Sequence, residues 1–393
     1  MKSDTQPKKH RPLCSLHEHC GGCTAQDQPY EEQLARKRGV LVKALAGLVE
    51  PDAVPAITGV TPPWGYRTRL LMPAVPRSKP HPGQPRFRFG FYGRGTTRLV
   101  EAPGCPVQHP LTLSAVAMVS QALADSPITA TAPKSKGGWL HGLAVRVDPR
   151  SSAVELTLVG RTSKLPGGKA LAAQLLSLPG ISGVHISVNP SRSSFLMGPD
   201  FVHLAGRRRT VFHVGDQGFP LSPGSFFQTS ARGAELLSER VIEALPDSMR
   251  CLADLYGGVG VFARLTERRW RRAVVAESNP YAVDDLRWWL RREKMDGCSV
   301  LLGRVEDVVG DALKQHPDAV VLDPPRAGCH PRVLDRLDYA KPPVLVYVSC
   351  NPEALTRDAQ RLVKAGYQID SVNGVDMFPH NEHLETIVRF VSS

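Results

Sequence analysis

From residue 223 onward the chain alternates between two hydrophobic rhythms. Residues 231–245 place apolar side chains at helical spacing, and 282–292 do the same. Between and after them come short, continuous apolar runs: 251–256, 273–276, a run ending at Asp323, and 344–348. Runs of that length alternating with helices predict a parallel, doubly wound sheet. In such a sheet, ligands bind beyond the carboxyl ends of the strands. Those ends are where glycines, acids and a cysteine gather in this chain.

The pattern upstream is different. Residues 27–49 predict a helix with Leu34, Val40, Leu41, Leu45 and Leu48 on one face, broken at Pro51. Arg86-Phe87-Arg88-Phe89 alternates with period two and predicts a strand with one cationic and one apolar face. Apolar runs at 143–147, 154–159 and 184–188, punctuated by Gly and Pro, predict a mostly antiparallel sheet. At 393 residues the chain exceeds one ordinary core. The expected division is 1–110, a cysteine-rich and basic region; 111–222, a central α+β domain; and 223–393, the α/β domain.

Composition narrows the partners. Lys and Arg outnumber Asp and Glu by 49 to 37, for a net charge of +12, which favours a polyanion. Residues 61–100 contain no Asp or Glu. They hold Arg67, Arg69, Arg77, Lys79, Arg86, Arg88, Arg94 and Arg98, interleaved with Trp64, Tyr66, Phe87, Phe89, Phe91 and Tyr92. Two readings stay open: an RNA-facing sheet whose aromatics stack on bases, or buried aromatics beneath solvated arginines. No apolar run approaches a membrane span, and the polar start MKSDTQPKKHRP is no secretory signal. A cytoplasmic, monomeric protein without membrane contact is expected. There the eight cysteines stay reduced, so clustered ones suggest metal or catalysis.

The first strand-end motif is DLYGGVG (254–260). Its glycines let backbone approach a nucleotide-like ligand. It lacks the spacing G-x-G-x-x-G and the lysine of a phosphate-binding loop, which counts against NAD and ATP. Glu277 ends the next strand, where an acid accepts from ribose hydroxyls. Asp323-Pro324-Pro325-Arg326 forms a rigid loop suited to a flat base. These elements in order predict a nucleoside cofactor. Cys350 ends the run 344–348 and so lies at the ligand face, although a buried structural thiol is the commoner fate of such a residue. His380, His383 and Glu385 admit a metal reading, at a spacing that matches no standard site. Cys14, Cys20 and Cys23 form C-x5-C-x2-C, with Cys105 downstream. Spacing alone leaves zinc and a [4Fe–4S] cluster open. Cys251, Cys298 and Cys329 read as incidental.

FFQTS (226–230), DLYGGVG (254–260), DPPRAG (323–328), SCNPEAL (349–355) and DMFPHNEHLE (376–385) together resemble the RNA uracil-5 methyltransferases, in that family's order and spacing. The cysteines extend the resemblance over nearly the whole chain. It implies a C-terminal Rossmann-like class I methyltransferase domain dependent on S-adenosylmethionine, preceded by an α+β region with an iron–sulfur cluster. It implies Cys350 as the nucleophile and Glu385 as the base. Gln228, Tyr256, Glu277 and Asp323 would hold the cofactor, with Asp323 alternatively at the uracil edge. Cys14, Cys20, Cys23 and Cys105 would hold [4Fe–4S], with zinc the alternative. The thiol should have a lowered pKa. The nearest members modify large-subunit ribosomal RNA and lack a TRAM domain, for which the 13 residues before Cys14 leave no room; transfer RNA is the alternative target. Two positions depart from the family pattern: Tyr256-Gly257 replaces the usual Phe-Cys, and Ser230 replaces an Asn. The rival classes are an amino-group methyltransferase using the Asp-Pro-Pro loop and a non-enzymatic iron–sulfur RNA-binding protein.

Overall fold

The computed structural model describes residues 11–131, 137–190 and 196–392; most of the polar start of the chain lies outside them. Among the described residues no helix is long and apolar enough to cross a membrane. Two large sheets organise the chain.

The first sheet contains β1 (Arg69–Pro76), β2 (Phe87–Phe89), β3 (Leu140–Val147), β4 (Val154–Gly160), β5 (Ile181–Val188) and β6 (Asp200–Gly206). Their order is β2-β1-β3-β4-β5-β6. Pairing is antiparallel except between β4 and β5, whose parallel pairing needs a crossover, the helix Gly168–Leu176. This helix and Pro110–Ala122 cover one face, and the segment around Phe212 and Ser225 packs against Arg146 on the other, so β3 and β4 are buried throughout. The Arg-Phe alternation behaves as its period predicts. Phe87 and Phe89 enter the core, and Arg88 turns outward to Glu101 at 3.2 Å.

The second sheet contains β7 (Met249–Leu255), β8 (Trp270–Glu277), β9 (Cys298–Leu302), β10 (Ala319–Leu322), β11 (Val344–Ser349), β12 (Tyr367–Asp376) and β13 (Glu385–Ser392). Its order is β12-β13-β11-β10-β7-β8-β9, with Thr58–Gly59 added beside β12. Strands β7 to β11 are parallel. The chain leaves β7 first toward β8 and β9, then returns to β10 and β11. The switch point therefore lies between β7 and β10, where a crevice opens. Strand β13 runs antiparallel between β11 and β12. Helices cover both faces, which is why these strands read as unbroken apolar runs.

The first helix, Tyr30–Ala44, keeps most of its expected face: Leu41 and the following Leu45 are buried, Leu34 and Leu48 pack against the same core, and Val40 alone of the five is exposed, at 47%. Two polar side chains, Gln33 and Lys37, also turn inward, against the loop that follows β12.

Phe390 is fully buried in β13 between the two halves of the sheet. Phe390→Ala should cost about 3–5 kcal/mol of stability, read as a lowered urea midpoint, through the cavity it leaves.

Candidate active site

Strand β7 runs into Tyr256, whose φ of 63° is a left-handed value rare outside glycine. Gly257 follows because nothing larger fits: a β-carbon there would lie 2.7 Å from Val275 and 2.9 Å from Asp254. The turn thus presses onto the sheet, with a cleft on its other side. Gln228, Tyr256, Gly257, Gly258 and Asp323 all line it. Glu277, the last residue of β8, accepts from the N–H groups of Gly258 at 3.0 Å, Ser278 at 2.7 Å and Asn279 at 2.6 Å. Three fixed donors hold its carboxylate beside the turn. The Gln228 segment is pinned by Thr68 N–H, which donates to the Thr229 carbonyl at 2.7 Å. Ser230 caps the helix Ala231–Ala244 by accepting from Gly233 N–H at 3.0 Å. Ser and Asn cap equally well, so the departure at this position is conservative.

Across the sheet, β11 and β13 pair from Val344↔Val391 to Ser349↔Thr386. Continuing that register by one residue sets Cys350 opposite Glu385. Asp323 follows the adjacent strand β10. The three groups share one electrostatic neighbourhood. Burial pushes the Glu385 carboxyl up to about 8, with Asp323 adding to the shift and Arg326 opposing it. Burial and Glu277 raise Asp323 to about 7. The Cys350 thiol is also raised, by burial first, then by Glu385 and Asp323. The expected lowering is therefore absent in the resting protein. A half-buried thiol facing two carboxyl groups has one cation, Arg326, acting in its favour. Arg326 stands within a motif read from the sequence, yet its role in this field was not foreseen. Asp254 was also missed. It lies fully buried beneath the glycine turn, where burial raises it to about 7.

His380 does not join His383 and Glu385 at a metal site. Its ring stacks on Trp64 at 3.8 Å and meets the Pro63 carbonyl at 3.1 Å. Among the described residues, no group of three or more His, Cys, Asp or Glu is gathered closely enough for a metal ion. Cys14, Cys20, Cys23 and Cys105 nevertheless line one small cavity, together with Arg67 and Gln26. Tertiary structure brings Cys105 to the other three. Burial raises the Cys23 and Cys105 thiols, and the neighbouring cysteines raise them further.

The basic segment is mixed in use. Tyr66, Phe87 and Phe89 are buried, Trp64 is stacked on His380, and Phe91 packs against the core of the first sheet. Of the six aromatics, Tyr92 alone is exposed, at 51%. Glu101 takes Arg77 and Arg88, while Lys79, Arg86, Arg94 and Arg98 face solvent. The buried-aromatic reading holds for most of the segment.

Alkylation of Cys350 by iodoacetamide, followed by peptide mass mapping, should accelerate only above the usual thiol range. Glu385→Gln removes a negative neighbour, so the midpoint should fall to lower pH.

Residues 302–392 match the family model of the tRNA (uracil-5-)-methyltransferases. An uncharacterized RNA methyltransferase of Synechocystis is 31% identical over 386 residues, covering 97% of this chain and 82% of its own. One of Bacillus cereus is 28% identical over 392 residues, covering 98% and 84%. Among solved structures, the tRNA (uracil-54, C5)-methyltransferase of Pyrococcus abyssi, in complex with S-adenosyl-L-homocysteine, superposes with a TM-score of 0.77. It is 28% identical and covers 94% of this chain and 86% of its own. With a relative above 30% identity along almost its entire length and the ordered strand-end motifs in one crevice, the chain belongs to the uracil-5 family of RNA methyltransferases.

Proposed function

We propose that this protein transfers a methyl group from S-adenosylmethionine to carbon 5 of a uridine in RNA, giving 5-methyluridine. One observation carries the reading: the β11–β13 register that sets Cys350 opposite Glu385, beside the cleft lined by Gln228, Tyr256 and Asp323. When bound, S-adenosylmethionine supplies the methyl group on a sulfonium. The cleft suits a nucleoside. Glu277 is oriented for ribose hydroxyls, and the proline-stiffened loop after Asp323 suits a flat base.

Carbon 5 of uracil is a weak nucleophile. Cys350, as thiolate, adds to carbon 6, and the electron pair passes toward oxygen 4. Carbon 5 would then take the methyl group, its bond to the sulfonium sulfur breaking and the sulfur leaving as a neutral thioether. Glu385, as carboxylate, takes the proton from carbon 5; that C–H pair restores the ring double bond, and Cys350 departs. Arg326 favours both ionised forms. Asp323 serves the cofactor or the uracil edge. The target base must leave its stack, so a loop uridine costs least.

The target class we propose is large-subunit ribosomal RNA, supported by the four-cysteine set. Transfer RNA is the second reading, supported by similarity to the archaeal tRNA enzyme over nearly the whole chain. To Cys14, Cys20, Cys23 and Cys105 we assign a [4Fe–4S] cluster. The donor set is consistent with this: four thiols line one cavity, and burial and the neighbouring cysteines raise Cys23 and Cys105, a cost that bound iron would offset. Zinc would draw four sulfurs to about 3.8 Å of one another, from Zn–S bonds of about 2.3 Å. The order of the four cysteines, which resembles the cluster-binding pattern of the family, is what favours iron–sulfur over zinc. Methyl transfer moves no net electrons, so the proposed role is structural.

Three outcomes are expected. Cys350→Ser should abolish methylation, and Glu385→Gln should lower turnover by about 10²–10⁴, with S-adenosylhomocysteine binding kept in both. The rate in kcat/KM should rise from about pH 7 and still be rising above pH 9, because base and thiol act ionised, with Glu385 held protonated to about 8 and Cys350 beyond its ordinary range. Nucleoside mass spectrometry of separated ribosomal and transfer RNA, with and without the gene, should show 5-methyluridine lost from one pool. Loss from neither would sink the proposal.

A further inference from the structure

The connection from β12 to β13, residues 377–384, leads directly into Glu385. The strands alone do not set its path. It is held from outside, mostly by the N-terminal part of the chain. At its start, Lys37 Nζ bonds Asp376 Oδ1 at 2.7 Å and the Phe378 carbonyl at 3.3 Å, with both charged side chains buried. Tyr66 Oη donates to the Pro379 carbonyl at 2.9 Å.

His380 is the centre of the arrangement. Its φ is 65°, a conformation that a side chain adopts only when its surroundings impose it. Its N–H donates to Gln33 Oε1 at 2.9 Å. Its carbonyl accepts from the N–H groups of Thr24 at 2.9 Å and Ala25 at 3.2 Å, the two residues after Cys23. Its ring stacks on Trp64, with Nε2 at the Pro63 carbonyl and Nδ1 at the Gln33 amide, 3.2 Å away. Beyond it, Asn381 donates to the Gly22 carbonyl at 3.3 Å, and Glu382 pairs with Arg36 at 3.0 Å. The cysteine-bearing turn and the base-bearing loop are thus bonded backbone to backbone.

We propose that the segment 22–25, with Gln33, Lys37 and Trp64, is a positioning device for Glu385, and that it acts through His380. The inference rests on Glu385 being the base that removes the carbon-5 proton. None of these groups touches the reacting atoms. They fix where β13 begins, and a proton acceptor displaced by about 1 Å can lose about a hundredfold in rate. Disturbing the cysteine turn should therefore slow proton removal rather than cofactor binding.

The test uses the full chain and two RNA transcripts, one with uridine and one with 5-fluorouridine. Fluorine occupies carbon 5 where the base would find a proton. Cysteine attack and methyl transfer then end in a covalent protein–RNA adduct that makes no use of Glu385. The main variant is His380→Asn, since Asn tolerates the left-handed backbone but cannot replace the ring on Trp64. Turnover on the uridine transcript should fall about a hundredfold, while adduct formation and S-adenosylhomocysteine binding match the wild type. Gln33→Ala, which removes the acceptor for the His380 N–H, should behave the same way. In both variants the amides of 377–384 should exchange hydrogen faster than in the wild type. Unchanged turnover, equal losses in turnover and adduct, or unchanged exchange would each overturn the positioning role. Absence of adduct from the wild-type protein would overturn the covalent reading beneath it instead.

Discussion

One strand direction decides the site. In a wholly parallel sheet, only residues that follow strands reach the carboxyl edge. Strand β13 runs the other way, so its first residue arrives there. Glu385 begins that strand and Cys350 follows β11, and the ladder between them leaves no freedom in their spacing. A slip of one residue would turn Glu385 to the opposite face. Phe390 and Val388 fill the core on one face of β13 and Ile387 the core on the other, so the same slip would force each into a space already packed for a different side chain.

Desolvation sets the character of this edge. Asp254, Asp323 and Glu385 are all pushed upward by burial, and each adds to the cost of ionising a neighbour. A thiol in that company is harder to ionise, not easier. Arg326 is the counterweight, set on a loop stiffened by two prolines and tied through its carbonyl to Asn351 at 2.9 Å. The same loop therefore shapes the cleft and tunes the thiol.

The N-terminal region contributes buttressing more than surface. Its helix spends two inward positions on Gln33 and Lys37, which an ordinary apolar stripe would give to leucine. A buried ion pair such as Lys37–Asp376 adds little to stability, and its place here is to hold the start of the loop that leads to Glu385. Its aromatics are likewise mostly internal.

Local patterns were legible in the sequence. The runs that became β7, β8, β10 and β11, and the helix Ala231–Ala244, emerge within a few residues of their expected bounds, because burial on both faces writes itself into contiguous side chains. The glycine turn, Glu277 and Cys350 were placed at strand ends by the same reasoning. What tertiary structure decided were the meetings of distant segments. These are Cys350 with Glu385, Cys105 with the three early cysteines, and His380 with Thr24, Ala25 and Trp64. The inward turn of Gln33 and Lys37, and the raised thiol, belong to the same class. Periodicity records which face of an element is buried, but not what it is buried against. A pKa depends on charges that approach only after the chain has closed on itself.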